Sequence, residues 1–172
     1  ERGARHAALM IYLSRTCFNG LYRENSRGVM NVPWGGADRR CEWATLADLL
    51  GAQRVLRDAT LLTEGYATVI ESYVRPGDVV YADPPFEGAK TYRGYTAAPP
   101  VDYAELARLL RDACNRGALV LTSQPNIAQA RARYESWCAA VPVQTAYKIG
   151  GRGTRRKSAA ANVGEILFIG RP

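Results

Sequence analysis

The stretch GDVVYADPPFEG, residues 77 to 88, constrains this chain more than any other. Val79, Val80 and Tyr81 are β-branched or aromatic, so residues 78 to 82 read as a strand. Pro84 and Pro85 lack N–H groups and fix their own φ, so the strand has to stop at Asp83. A strand that stops this way leaves an acid at its carboxyl end. In an open α/β sheet, ligands sit beyond the carboxyl ends of the strands.

The rest of the chain supplies helices and strands around that segment. Residues 5 to 18 read as a helix whose apolar face is Ala8, Ile11, Tyr12, Cys17 and Phe18. A loop rich in Asn and Gly follows over 19 to 40, long for a compact domain and of the kind that carries function. Thr45 caps a short helix to residue 52, with Asp48 three residues on. A strand is expected within 54 to 65 and a helix over 66 to 74. Pro76 and Gly77 make a turn. After a second loop, 87 to 100, Asp102 and Glu105 form a capping box for a helix that Gly117 ends. A strand is expected over 118 to 123, then a helix from 127 to about 139 capped by Asn126. Strands over 143 to 149 and 165 to 170 flank a basic loop. The alternation argues α/β with a largely parallel sheet, closed by an antiparallel hairpin at one side.

A chain of 172 residues suits one ordinary domain, and a net charge of +7 suits a polyanionic partner without identifying it. Cys17, Cys41, Cys114 and Cys138 show no C-x-x-C pair, so reduced core thiols are expected rather than a zinc site or disulfide framework. No metal site is expected. His6 is the only histidine, which leaves little for His-based catalysis. No apolar run approaches the ~20 residues of a membrane span. No signal peptide is seen, and a cytoplasmic protein is expected by default. The first residue is Glu1 rather than Met, so a piece of something longer, or a processed chain, is expected.

The groups at 83 to 86 suit one chemistry in particular. The exocyclic amine of a base is a poor nucleophile because its lone pair is delocalised into the ring. An acceptor on each N–H, one from Asp83 and one from the Pro84 carbonyl, would draw that nitrogen toward sp³ geometry. Pro85 would fix the turn and Phe86 would stack on a base that has left the duplex. No metal or covalent nucleophile is required; orientation and electrostatics carry the reaction. The bland alternative is a strand followed by a Pro-Pro turn.

With these residues in view, the sequence resembles the DNA adenine methylase (Dam) family of N6-adenine methyltransferases, which carry a D-P-P-[YF] motif. Two further stretches carry the resemblance. RTCFNGLYRENSRGVMNVPWG, residues 15 to 35, is similar to the family's DNA-recognition segment. GTRRKSAAANVGEILFIG, residues 153 to 170, is similar to its basic loop and final strand. The likeness covers roughly residues 8 to 170. It implies a site-specific DNA methyltransferase that moves a methyl group from S-adenosylmethionine to a flipped adenine, in a GATC-like site.

The resemblance also implies roles. Asp83, Pro84, Pro85 and Phe86 would be catalytic. Tyr66, beside Gly65, would lie against the adenine of the cofactor, with Asp83 also at the cofactor. Gly65 stands where the family often has Asp or Ser, and Phe86 where Tyr is commoner. Arg23 would read a guanine in the major groove, and Leu21 and Pro33 would touch a thymine methyl. Phe18 would wedge into the base stack, while Asn19, Asn25 and Asn31 would hold phosphates. Lys148, Arg152, Arg155, Arg156 and Lys157 would meet the DNA backbone. Each has a bland counterpart: Phe18 as core, the asparagines as turn formers, Arg23 and the basic loop as solvated charge.

One family feature has no match. The Gly-rich strand-turn that holds the methionine part of the cofactor is missing from the sequence. The resemblance therefore implies a partial Rossmann-like methyltransferase sheet, without its amino-terminal cofactor-loop strands, joined to a small helical and loop DNA-recognition segment. Residues 1–50 would be that segment, and 51–172 the carboxyl-terminal part of the catalytic domain. Double-stranded DNA is the expected partner, together with an upstream segment or partner chain that carries the cofactor loop. The alternative is a non-catalytic or split-subunit DNA-binding module of methyltransferase descent. A small-molecule α/β enzyme would leave residues 15 to 35 unexplained.

Overall fold

The computed structural model describes residues 2–36, 44–87, 101–143 and 164–172. The chain divides into two units, Glu1–Thr63 with Arg93–Ala98, and Glu64–Tyr92 with Pro99–Pro172. Among the described residues no helix is long and apolar enough to cross a membrane.

The second unit holds α3 (Tyr66–Ser72), β1 (Val79–Ala82), α4 (Tyr103–Asn115), β2 (Leu119–Pro125), α5 (Ala128–Tyr134), β3 (Ala139–Val143) and β4 (Glu165–Gly170). The strands form one sheet in the order β1-β2-β4-β3. β1 runs parallel to β2, with Ala82 opposite Thr122. β4 lies antiparallel to β2 on one side and to β3 on the other. The sheet is therefore mixed, not largely parallel as the alternation suggested. β4 pairs antiparallel with β3 at Ala139–Val143, which follows from α5 stopping at Tyr134; the strand expected over 143 to 149 lies, beyond Val143, outside the described residues. Asn126 does not cap α5. Its side-chain oxygen accepts from Arg131 Nε at 2.9 Å, and Ile127 stands at the cap position.

α4 supplies the core. Leu106, Leu109, Leu110, Ala113 and Cys114 are buried in one cluster with Val120 of β2 and Ile166 and Phe168 of β4. Tyr134 of α5 stacks on Phe168, ring centroids 5.1 Å apart. Asp102 caps α4 by accepting from the Ala104 and Glu105 N–H groups, each at 3.0 Å. Glu105 does not complete the expected reciprocal box; its carboxylate accepts from the Tyr66 hydroxyl instead. Gly117 ends α4 at φ +103, and a Cβ there would lie 3.3 Å from Pro76 Cβ. The Gly77 N–H donates to the Gly117 carbonyl at 2.8 Å, and the Leu119 N–H to Asp78 at 2.8 Å, so β1 and β2 start level.

The first unit holds α1 (Arg2–Thr16), a 3₁₀ turn (Phe18–Gly20) and α2 (Leu46–Leu56). Thr45 and Asp48 make a reciprocal capping box, as the sequence indicated. α2 runs on to Leu56, and no strand forms over 57 to 63, which corrects the expected strand there. The expected buried face of α1 is also corrected. Ala8, Ile11, Tyr12 and Phe18 are exposed, and only Thr16 and Cys17 at its end are buried. Helical periodicity gives a helix an apolar face, but burial needs a layer to pack on it. Cys17, Cys114 and Cys138 are buried thiols outside any disulfide among the described residues; Cys41 lies outside the described residues.

The Gly117→Ala variant is expected to lose about 1–3 kcal/mol, because a side chain must adopt positive φ against Pro76. Urea denaturation measures this as a lower midpoint at unchanged slope.

Candidate functional site

β1 alternates between two faces, and the alternation continues into the turn. Val79, Tyr81 and Asp83 are exposed; Val80, Ala82 and Pro84 are half-buried. The carboxylate therefore emerges on the open face of the strand, one residue beyond its carboxyl end. Pro85 is exposed, and Phe86 is half-buried. Among the described residues β1 pairs with β2 alone, which makes it a sheet edge.

The turn is held from the core side. The Tyr103 hydroxyl donates to the Pro85 carbonyl at 2.7 Å. Arg133 meets both carboxylate oxygens of Glu87, through Nη1 to Oε2 and through Nη2 to Oε1 at 3.0 Å. The Arg133 guanidinium carbon also lies 5.7 Å from the centre of the Tyr103 ring. The hydrogen bonds from Arg133 hold the Glu87 carboxyl below its ordinary range, against an opposing effect of burial. No sequence pattern pointed to Glu87, Tyr103 or Arg133. The pair spans 46 residues and exists only after folding.

The neighbouring end of β2 is polar and buried. Thr122, Ser123 and Gln124 are buried, and Gln124 Nε2 donates to Thr122 Oγ1 at 2.9 Å. Ser123 donates to the Glu165 carboxylate of β4. The strand expected over 118 to 123 takes in Thr122 and Ser123 and stops short of Gln124 and Pro125, which β2 includes.

Tyr66 is the first residue of α3, and Gly65 is its cap residue. The Tyr66 ring packs against the core cluster, and its hydroxyl donates to Glu105 Oε2 at 2.7 Å. That bond raises the phenol to about 12, with burial and the Glu105 charge adding to it. A Cβ on Gly65 would meet nothing within 4 Å, so the backbone there is open.

In the first unit, residues 17 to 34 form a closed loop with a tight hairpin at its tip. Cys17 and Trp34 form an antiparallel bridge at its base, where the Phe18 N–H donates to the Pro33 carbonyl at 2.8 Å. Glu24 and Met30 form a second bridge. Asn25 makes the tip: its side-chain oxygen accepts from the Arg27 and Val29 N–H groups at 2.9 and 3.1 Å. Arg23 Nε donates to Asn31 Oδ1 at 2.8 Å, and Nη2 lies 3.3 Å from the Asn31 carbonyl. Asn31 thus orients the guanidinium. Asn19 sits at φ 55 in the 3₁₀ turn. Phe18 is 43% exposed and Trp34 67%. Leu21 is half-buried; Arg23, Asn25, Asn31 and Pro33 are exposed. Lys148, Arg152, Arg155, Arg156 and Lys157 lie outside the described residues.

The family described as D12 class N6 adenine-specific DNA methyltransferase matches residues 1–149. The chain is 31% identical over 176 residues to the DNA adenine methylase of Escherichia coli, which covers 98% of this chain and 59% of that protein. It is 30% identical over 132 residues to the type II methyltransferase M.MjaIII of Methanocaldococcus jannaschii, covering 72% of this chain and 44% of the relative. A DNA adenine methylase of Serratia marcescens matches at 36% over 93 residues, 54% of this chain and 33% of its own length. The chain thus spans from a third to about three fifths of these relatives.

The Glu87–Arg133 pair has a defined pH signature. Because the folded carboxyl titrates below the unfolded value of 4.5, its stabilisation is fully present above that value. It disappears as pH falls through the lower folded value. The stability difference between the parent and Glu87→Gln, measured by denaturation from pH 7 to 3, is expected to shrink over that acid range.

Proposed function

Since the chain belongs to the D12 class N6 adenine-specific DNA methyltransferases, we propose that it contributes the target-binding half of a site that methylates adenine N6 in a GATC-like DNA sequence. The observation that carries this reading is the exposed Asp83 at the carboxyl end of β1, followed directly by Pro84, Pro85 and Phe86.

In this reading the Asp83 carboxylate and the Pro84 carbonyl accept the two N–H bonds of an extruded adenine. That pulls the amino nitrogen out of conjugation and frees its lone pair. Phe86 stacks on the base and keeps it in the site, and stacking of this kind contributes roughly 1–3 kcal/mol. Pro85 keeps the turn from rearranging, since its φ is fixed.

S-adenosylmethionine, when bound, would supply an electrophilic methyl group, its S–CH3 bond breaking to leave the thioether S-adenosylhomocysteine while the amino nitrogen gives up one proton. The residues present suit part of it. Tyr66 offers an aromatic ring whose hydroxyl is already committed to Glu105, and Gly65 leaves the backbone open beside it. Asp83 adds a negative charge just beyond the carboxyl end of β1. The Gly-rich turn for the methionine part is assigned to an upstream segment or a partner chain. The edge of β1, which pairs with β2 alone among the described residues, supports that assignment, because an unpaired sheet edge is normally covered. The sheet would then be completed as a Rossmann-like layer.

Residues 1–50 are assigned to DNA recognition and 51–172 to the carboxyl-terminal part of the catalytic domain. Arg23, oriented by Asn31, reads a guanine. Leu21 and Pro33 meet a thymine methyl, and Phe18 enters the stack. Asn19, Asn25 and Asn31 steady the backbone, with Arg152, Arg155, Arg156 and Lys157 on further phosphates. For Asn25 and Asn31 the side-chain oxygens already accept bonds within the hairpin, so their amide nitrogens are the donors left for phosphate. The setting is the cytoplasm of a bacterium or a phage-infected host.

Labelled-methyl transfer to duplexes changed one base at a time tests the proposal, with this chain alone and joined to its natural upstream sequence. The Asp83→Ala variant is expected to lose about a hundredfold or more in transfer while DNA affinity stays within about threefold. Transfer at parental rate by this variant would refute the role of the carboxylate. Arg23→Ala is expected to relax discrimination at one guanine by about 1–3 kcal/mol, read as relative kcat/KM on matched and substituted duplexes.

A further inference from the structure

A turn built on two adjacent prolines has no N–H at either position with which to hold itself. The Asp83 to Glu87 segment nevertheless follows a sheet edge, where only β2 flanks the strand among the described residues. Its position therefore has to be set from outside. The contacts that do this come from two helices. Tyr103, the first residue of α4, donates to the Pro85 carbonyl at 2.7 Å. Arg133 of α5 grips Glu87 through both carboxylate oxygens, and both side chains are about three-quarters buried. The guanidinium in turn lies over the Tyr103 ring, linking the two attachments.

We propose that Tyr103, Glu87 and Arg133 form a brace that fixes the Asp83–Phe86 turn, and that they are positioning residues for the reaction at that turn. The proposal rests on the methyl-transfer reading given above. None of the three needs to touch the base. A two-point guanidinium–carboxylate contact fixes direction as well as distance. The Pro85 carbonyl is the next acceptor along the chain from that of Pro84. Holding the one restricts rotation of the other. A displacement of ~1 Å in such an acceptor can cost about a hundredfold in rate.

Two measurements on the full-length natural protein separate the brace from the chemistry. The variants are Tyr103→Phe, which removes only the hydroxyl, Glu87→Gln, Arg133→Lys, and the exchanged pair Glu87→Arg with Arg133→Glu. Amide hydrogen exchange at Asp83, Phe86 and Glu87 reports the turn without DNA or cofactor. It is expected to quicken several-fold, up to about tenfold, in each single variant and to recover in part in the exchanged pair. Steady-state methyl transfer is expected to show kcat lower by about 10–100-fold with KM for DNA within about threefold. Unchanged exchange in all three single variants would overturn the brace, whatever the activity. Faster exchange with unchanged kcat in an active parent would overturn the positioning role. An inactive parent would instead sink the methyl-transfer reading and the positioning role with it, and exchange alone would then judge the brace.

Discussion

The parallel register between β1 and β2 is the constraint from which the rest of the Asp83 region follows. Two glycines with positive φ, Gly77 and Gly117, lie next to each other at the start of the strands and are joined by a 2.8 Å hydrogen bond. They start β1 and β2 level, so that Ala82 faces Thr122 five residues after them. A slip by one residue would turn every side chain of β1 to the other face. Val80 and Ala82 would leave the core, and Asp83 would turn toward it. Exposure of the carboxylate is thus a consequence of strand pairing and of two turn glycines, not of any property of aspartate.

Burial separates the two sides of this sheet. β4 is paired on both sides, and Ile166 and Phe168 are fully buried within the cluster built by α4, β2 and α5. β1 stands at the other extreme, with one paired side among the described residues and one exposed face. The Asp83–Phe86 turn therefore hangs from an edge strand, paired on one side among the described residues. Long-range polar contacts from α4 and α5 compensate for that lack of support. Tyr103 and Arg133 extend the rigidity of the core out to the prolines, which cannot hold themselves.

The first unit solves a similar problem with local means. Few of its residues are buried, and its loop is shaped by backbone bridges and side-chain amides. Asn25 folds the hairpin tip by accepting two N–H groups, and Asn31 holds the Arg23 guanidinium from eight residues away. An arginine held in this way loses less freedom when it meets a planar partner than one in free solution. The Asn25 and Asn31 side-chain oxygens both accept within the hairpin, which bears out their turn-forming role.

Much of this was legible in the chain of residues, because it depends on near neighbours. β-branched residues before a Pro-Pro pair gave β1 and the end of β1. Thr45 with Asp48, and Asp102 ahead of an amphipathic run, gave the starts of α2 and α4, and Gly117 gave the end of α4. The motifs around Arg23 and Asp83 also gave the family. Errors arose where local signals competed with distant partners. Asn126 was drawn away from capping α5 by Arg131, Glu105 from its box by Tyr66, and residues 54 to 56 continued a helix instead of opening a strand.

The sequence by itself determined which residues could be strand ends, caps and acceptors, since propensity, proline geometry and side-chain chemistry act within a few residues. Only the tertiary structure decided that β4 enters antiparallel beside β2, that Asp83 faces solvent, and that Glu87 meets Arg133. Those outcomes require segments tens of residues apart to bury a shared core. No local preference encodes which distant partner will be there.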